Sequence, residues 1–76
     1  MVTAYVAIKS NTGEVDAVKR KLLALEGVVD AHIVAGDVDF VTKLSVASPA
    51  AVKRTVADEI RTLSGVADTE TYVSMD

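Results

Sequence analysis

Leu25-Glu26-Gly27-Val28-Val29-Asp30 is matched further along the chain by Leu63-Ser64-Gly65-Val66-Ala67-Asp68: leucine, glycine, valine and aspartate recur at a constant offset of 65 − 27 = 38 residues. Each stretch places a glycine just after the last apolar position of a helical pattern and ahead of a valine-led run. That combination stops a helix and starts a strand. Meeting it twice divides the chain into two similar halves.

Working outward from Gly27, Val15, Val18, Leu22 and Leu25 recur at helical spacing. The helix they predict carries the favourable acids Glu14 and Asp16 in its first turn, and Asn11 or Thr12 can cap it. Before it, Val2 to Lys9 alternates loosely, with Val2, Ala4, Val6 and Ile8 on one face and Thr3, Tyr5, Ala7 and Lys9 on the other, as in a strand. After Gly27, Val28 to Ala35 reads as a second strand. Gly36-Asp37 predicts a tight hairpin connection to a third, running from Val38 to Val46. Ser48-Pro49 supplies an N-cap and a first-turn proline for a second helix lined by Val52, Val56, Ile60 and Leu63. Gly65 ends that helix, and Thr69 to Met75 forms the last strand. Two strand-helix-strand units joined by a hairpin make an α+β, ferredoxin-like βαββαβ sandwich, with both helices on one face of a four-stranded antiparallel sheet. The other face is left bare, with Tyr5, Ala7 and Val41 interrupted by Lys9, Lys43 and Ser45.

Composition narrows the function. A chain of 76 residues supports one domain, here residues 1–76, which buries only about 60% of the surface its unfolded form exposes. It has no cysteine and a single histidine, so disulfides are excluded and a zinc site lacks ligands. Half its residues are hydrophobic and its mean hydropathy is +0.33, more apolar surface than a small monomer needs. A homo-oligomer, beginning with a dimer through the bare sheet face, is the expected remedy. No apolar run reaches the roughly 18 residues of a membrane span, and no signal peptide is visible, which predicts a cytoplasmic protein without membrane contact.

The chemistry of catalysis is thin. Only His32 offers a base, no serine sits in a nucleophile-elbow context, and Asp37 with Asp39 read more cheaply as turn acids than as a carboxylate pair. No phosphate loop, dinucleotide fingerprint or calcium loop occurs, so no cofactor is expected. The net charge is −3, and Lys19, Arg20, Lys21, Lys53 and Arg54 read as solvated helix faces. With only Tyr5, Phe40 and Tyr72 as aromatics, direct nucleic-acid binding is not expected. His32 reads as an ordinary strand residue.

The hairpin Gly36-Asp37-Val38-Asp39-Phe40-Val41-Thr42-Lys43, preceded by Gly27-Val28-Val29-Asp30-Ala31-His32, together with the ending Leu63-Ser64-Gly65-Val66-Ala67-Asp68-Thr69-Glu70-Thr71-Tyr72, resembles the effector domain of the leucine-responsive regulator/AsnC (Lrp/AsnC) transcription regulators, called the RAM domain. The resemblance covers nearly the whole chain. The family's usual N-terminal helix-turn-helix has no counterpart before the first strand, so the likeness is to stand-alone effector domains. It implies dimers formed through the sheets, rings of eight or ten subunits, amino acids bound in the crevices between dimers, and co-assembly with full-length Lrp/AsnC regulators.

By the same resemblance the effector-binding residues are Gly36, Asp37 and Asp39 of the hairpin and Thr69 and Thr71 of the last strand, with Val38 standing where the family has a tyrosine. A carboxylate such as Asp37 suits an ammonium, while glycine-turn N–H groups and threonine hydroxyls suit a carboxylate. Turn building and strand packing account for the same residues without a ligand. Two other readings share the fold: a small dimeric α/β-barrel enzyme using His32 as acid or base, and an ACT-like amino-acid-binding domain, which lacks the two matched motifs.

Overall fold

In the computed structural model, which describes residues 1–76, six elements follow in the expected order: β1 (Val2–Ser10), α1 (Val15–Leu23), β2 (Val28–Ile33), β3 (Phe40–Val46), α2 (Pro49–Arg54, continued by a π-helical segment Thr55–Ile60) and β4 (Val66–Val73). The sheet order is β2-β3-β1-β4, and every pairing is antiparallel. This is the ferredoxin-like βαββαβ sandwich. Because side chains alternate along a strand, one set of residues faces the helices. Ala4, Val6, Ile8, Phe40 and Leu44 from the sheet meet Val18 and Leu22 of α1 and Val52, Val56 and Ile60 of α2, all buried, in a single core.

The duplicated glycine motif produces a duplicated turn. Gly27 and Gly65 are the only residues with positive φ, at 90° and 99°. In each turn the same bonds recur: Leu25 N and Val28 N donate to the carbonyls of Leu22 and Leu25, and Leu63 N and Val66 N donate to those of Ile60 and Leu63. A Cβ on Gly27 would stand 2.8 Å from Val46 Cγ1, and one on Gly65 the same distance from Val18 Cγ2, so lack of a side chain matters as much as the φ value.

Three local expectations are corrected. The hairpin is not tight: β2 ends at Ile33 and β3 begins at Phe40, leaving residues 34–39 as a longer loop in which Gly36 does not take positive φ. Asp39 causes this. Its N–H donates to the Ile8 carbonyl, its carbonyl accepts from Val34 N, and its carboxylate accepts from Ser10 N at 2.7 Å, so the loop is tied to β1 instead of folding on itself. Second, Asn11 and Thr12 do not cap α1. Glu14 holds that position without a side-chain bond, and Thr12 Oγ1 instead accepts from Glu14 N in a small turn just before the helix. Third, β4 begins at Val66, three residues before the expected Thr69.

Ser48 caps α2 as expected, accepting from Ala51 N at 3.2 Å with Pro49 behind it. The helix then widens, and Arg61 N donates to the Val56 carbonyl, five residues back. Val52, Val56 and Ile60, four apart along this helix and its π-helical continuation, all enter the core.

Candidate functional site

β4 is an edge strand, and its Thr69, Thr71 and Val73 lie on the helix side of the sheet. Thr69 and Thr71 stand opposite Ile8 and Val6 of β1, both of which are fully buried on the helix side of the sheet. α2 covers the core but stops short of this edge, leaving a groove of about 450 Å³ between helix and strand. Its walls are Pro49, Val52, Lys53, Val56, Ala57 and Arg61 from the helix and Thr69, Thr71 and Val73 from the strand. An apolar floor with a few polar groups at the rim, in a volume of this order, is the ordinary build of a small-molecule site.

The structure therefore brings two of the five expected residues into one groove. The other three stand elsewhere. Gly36 and Asp37 are exposed on the β2–β3 loop, and neither they nor Asp39 lines any of the five principal grooves. Asp39 is half-buried and its carboxylate already holds Ser10 N. Ile8 pairs with Phe40 on one side and Thr69 on the other, so Asp39, next to Phe40, lies about two strand spacings, roughly 10 Å, from Thr69.

Lys53, Ala57 and Arg61 were not singled out as site residues from the sequence, although a signal was there. They repeat the i, i+4, i+8 spacing of the core row Val52, Val56, Ile60, displaced by one residue. All three stand in the groove wall facing Thr69, Thr71 and Val73. A larger groove, about 530 Å³, opens beside Gly27 and Thr55 with Glu26, Glu59 and Arg54 in its wall, and holds none of the five residues.

The open sheet face carries its own pattern. Lys9 and Lys43 lie on the two central strands, opposite Asp68 and Asp30 on the edge strands, and Tyr5 pairs with Tyr72. Tyr72 donates its phenolic hydrogen to the Glu70 carboxylate. That hydrogen bond, with smaller contributions from desolvation and from the Glu70 charge, raises the Tyr72 pKa above the usual tyrosine value. His32 is exposed here, 3.5 Å from Asp30. Tyr5 and Tyr72 are both exposed. No group of His, Cys, Asp and Glu side chains is arranged to hold a metal ion, and no helix is long and apolar enough to cross a membrane.

Comparison with known proteins agrees with this architecture. Residues 3–76 match the model of the Lrp/AsnC ligand binding domain. The leucine-responsive regulatory protein of Haemophilus influenzae is 40% identical over 53 residues, 70% of this chain and 32% of that protein. The Escherichia coli protein of the same name is 33% identical over 75 residues, 95% of this chain and 46% of that protein. The chain thus spans less than half the length of these relatives. Among solved structures, TTHA0845 from Thermus thermophilus superposes with a TM-score of 0.93 at 28% identity, covering 100% of this chain and 95% of that one. AsnC of Escherichia coli, at 21% identity, shares the fold with a TM-score of 0.91 over 99% of this chain and 51% of its own. With a family model spanning all but its first two residues, the chain belongs to the Lrp/AsnC ligand-binding domain family.

Proposed function

We propose that this domain senses an amino acid or a close chemical relative, that it does so as an oligomer, and that it is not an enzyme. The observation that carries the reading is the groove between α2 and β4, which joins Thr69 and Thr71 to an apolar floor and two cationic side chains. Family membership supports it, since the matched domain is a ligand-binding one within transcription regulators. The site lacks what an enzyme would need. His32 lies on the open sheet face, away from the groove, and the groove wall holds no histidine, aspartate or glutamate to serve as a base.

Oligomerisation enters for a physical reason. An open sheet face holding Tyr5, Ala7, Val41 and Tyr72 gains by being covered, and a second copy offers the same strip of lysines between acids. A pair built on that face leaves the α2–β4 groove of each copy free for ligand or for further assembly, including mixed assembly with full-length Lrp/AsnC regulators. Gly36 and Asp37, exposed on the hairpin loop, are available to such a neighbour.

Thermal denaturation of the chain with each of the twenty amino acids and the matching α-keto acids tests the reading. A ligand present at a hundred times its dissociation constant stabilises by about 2.7 kcal/mol. A melting temperature unmoved by every compound, alone and with a full-length regulator present, would refute sensing.

A further inference from the structure

The duplicated halves provide an internal comparison for the groove beside Gly27. Each glycine turn lies against the helix of the other half, Gly27 beside Thr55 and Gly65 beside Val18. The two turns therefore open two related grooves. Shifted by the same 38 residues, Glu26, Gly27, Thr55 and Glu59 of the first become Ser64, Gly65, Ala17 and Lys21 of the second. The second encloses only about 100 Å³, against about 530 Å³ for the first. The larger groove is also where α2 turns π-helical, from Thr55 onward, whereas α1 has no such segment. Departures of that kind are frequent at functional sites.

Thr55 stands where the smaller groove has an alanine, and it is only 5% exposed. It lines the groove, with Oγ1 3.9 Å from the place a Cβ on Gly27 would take. Its hydroxyl makes no hydrogen bond within the chain, not even the bond to a carbonyl four residues back that Thr62 makes to Asp58. A hydroxyl so enclosed is a cost unless something in the groove pairs with it. The same wall carries Arg54 and Glu59, and Glu26 stands across from them on the turn after α1. None of the three is in an ion pair, since the one close ion contact in the chain, His32 with Asp30, lies on the open sheet face. Opposite charges are thus kept apart across one cleft instead of neutralising each other. Val46, Ala47 and Ala51 add an apolar stretch.

That arrangement fits a molecule carrying both charges. A carboxylate suits the Arg54 guanidinium, an ammonium suits Glu26 and Glu59, and the Thr55 hydroxyl can bond to either. We propose that the groove between α2 and the Gly27 turn is a second ligand site, taking a small aliphatic zwitterion. It shares no wall residue with the α2–β4 groove and stands whether or not that groove holds the effector. The charges it uses all belong to one chain, and walls added by a neighbouring copy leave them in place.

An amide NMR titration of the whole chain with leucine, and with its two single-charge relatives isoamylamine and isocaproate, tests this. Leucine should move the signals of Gly27, Thr55 and Glu59, and each relative should bind there at least about tenfold more weakly. Arg54→Met and Glu26→Gln, both at exposed positions, should each weaken leucine about tenfold with the urea midpoint unchanged. Thr55→Val should weaken leucine about tenfold while raising the urea midpoint of the ligand-free chain, opposite directions that a purely structural hydroxyl would not give. Shifts confined to Thr69, Thr71 and the hairpin overturn the second site and leave the α2–β4 reading standing. Shifts confined to Gly27, Thr55 and Glu59 uphold the second site and count against the other. Either relative binding as tightly as leucine overturns the zwitterion assignment.

Discussion

Thr42 is fully buried on the helix side of the sheet, opposite Val6 and Ala31, and its hydroxyl has no hydrogen-bond partner. A stranded hydroxyl in a small core is a cost without a visible return. Thr42→Val, which exchanges it for a methyl group, should stabilise the domain by about 1 kcal/mol in urea denaturation. Asp39 is the reverse case. Its carboxylate fastens the hairpin loop to Ser10 N, so Asp39→Ala should destabilise by about 1–3 kcal/mol with no ligand present, marking the residue as structural whatever else it does. A third residue-scale outcome concerns Tyr72. Because the hydrogen bond to Glu70 is the main cause of its raised pKa, Glu70→Gln should bring the phenol back toward the usual tyrosine value in a spectrophotometric titration. The sign follows from linkage. A group that holds its proton more tightly when folded adds stability at neutral pH, and that stability disappears as alkaline pH passes through the raised value. These residues also show where the sequence falls silent. Whether Asp39 is a ligand or a fastener depends on a partner 29 positions away, and no local pattern announces Ser10 N.

Among the elements, the two glycine turns were the most legible. A glycine at the end of an apolar helical row is a demand on backbone conformation, and the demand is met at the same place in both halves. Gly65→Ala combines a left-handed residue with a Cβ 2.8 Å from Val18, so it should cost about 1–3 kcal/mol, read as a lowered urea midpoint. The hairpin was less legible. Gly36-Asp37 has the right composition for a two-residue turn, but the bond Asp39 donates to Ile8 and the two it accepts from Ser10 and Val34 outweigh the local preference. The π segment was not legible, because apolar residues four apart, as Val52, Val56 and Ile60 are, are equally ordinary in an unbroken α-helix. Lys53 and Arg61, on the same helix, read from sequence as no more than solvated positions, because nothing local places β4 beside them.

For the whole molecule, the duplicated halves dictate a sheet with one face covered and one open. The bare face was readable from the alternation in β1 and β3. The groove was not, because it forms only when α2, from the middle of the second half, lies beside β4. The open face should associate. Ala7 is half-buried at its centre, flanked by Val41 and Glu70, so Ala7→Glu places a charge where the dimer interface is expected. In sedimentation equilibrium at micromolar concentration the unaltered chain should run as a dimer or larger, and the variant should weaken association about a hundredfold or more.

β1 is central in the sheet, and its second neighbour is β4, with Ala4 paired to Val73 near the other end of the chain. A ribosome making this polypeptide therefore releases the first strand long before the strand that flanks it exists. Until then one edge of that strand stays open to any passing extended segment, its own siblings on the same messenger included. The sheet cannot close until β4 has been made, and it is β4 that seals β1.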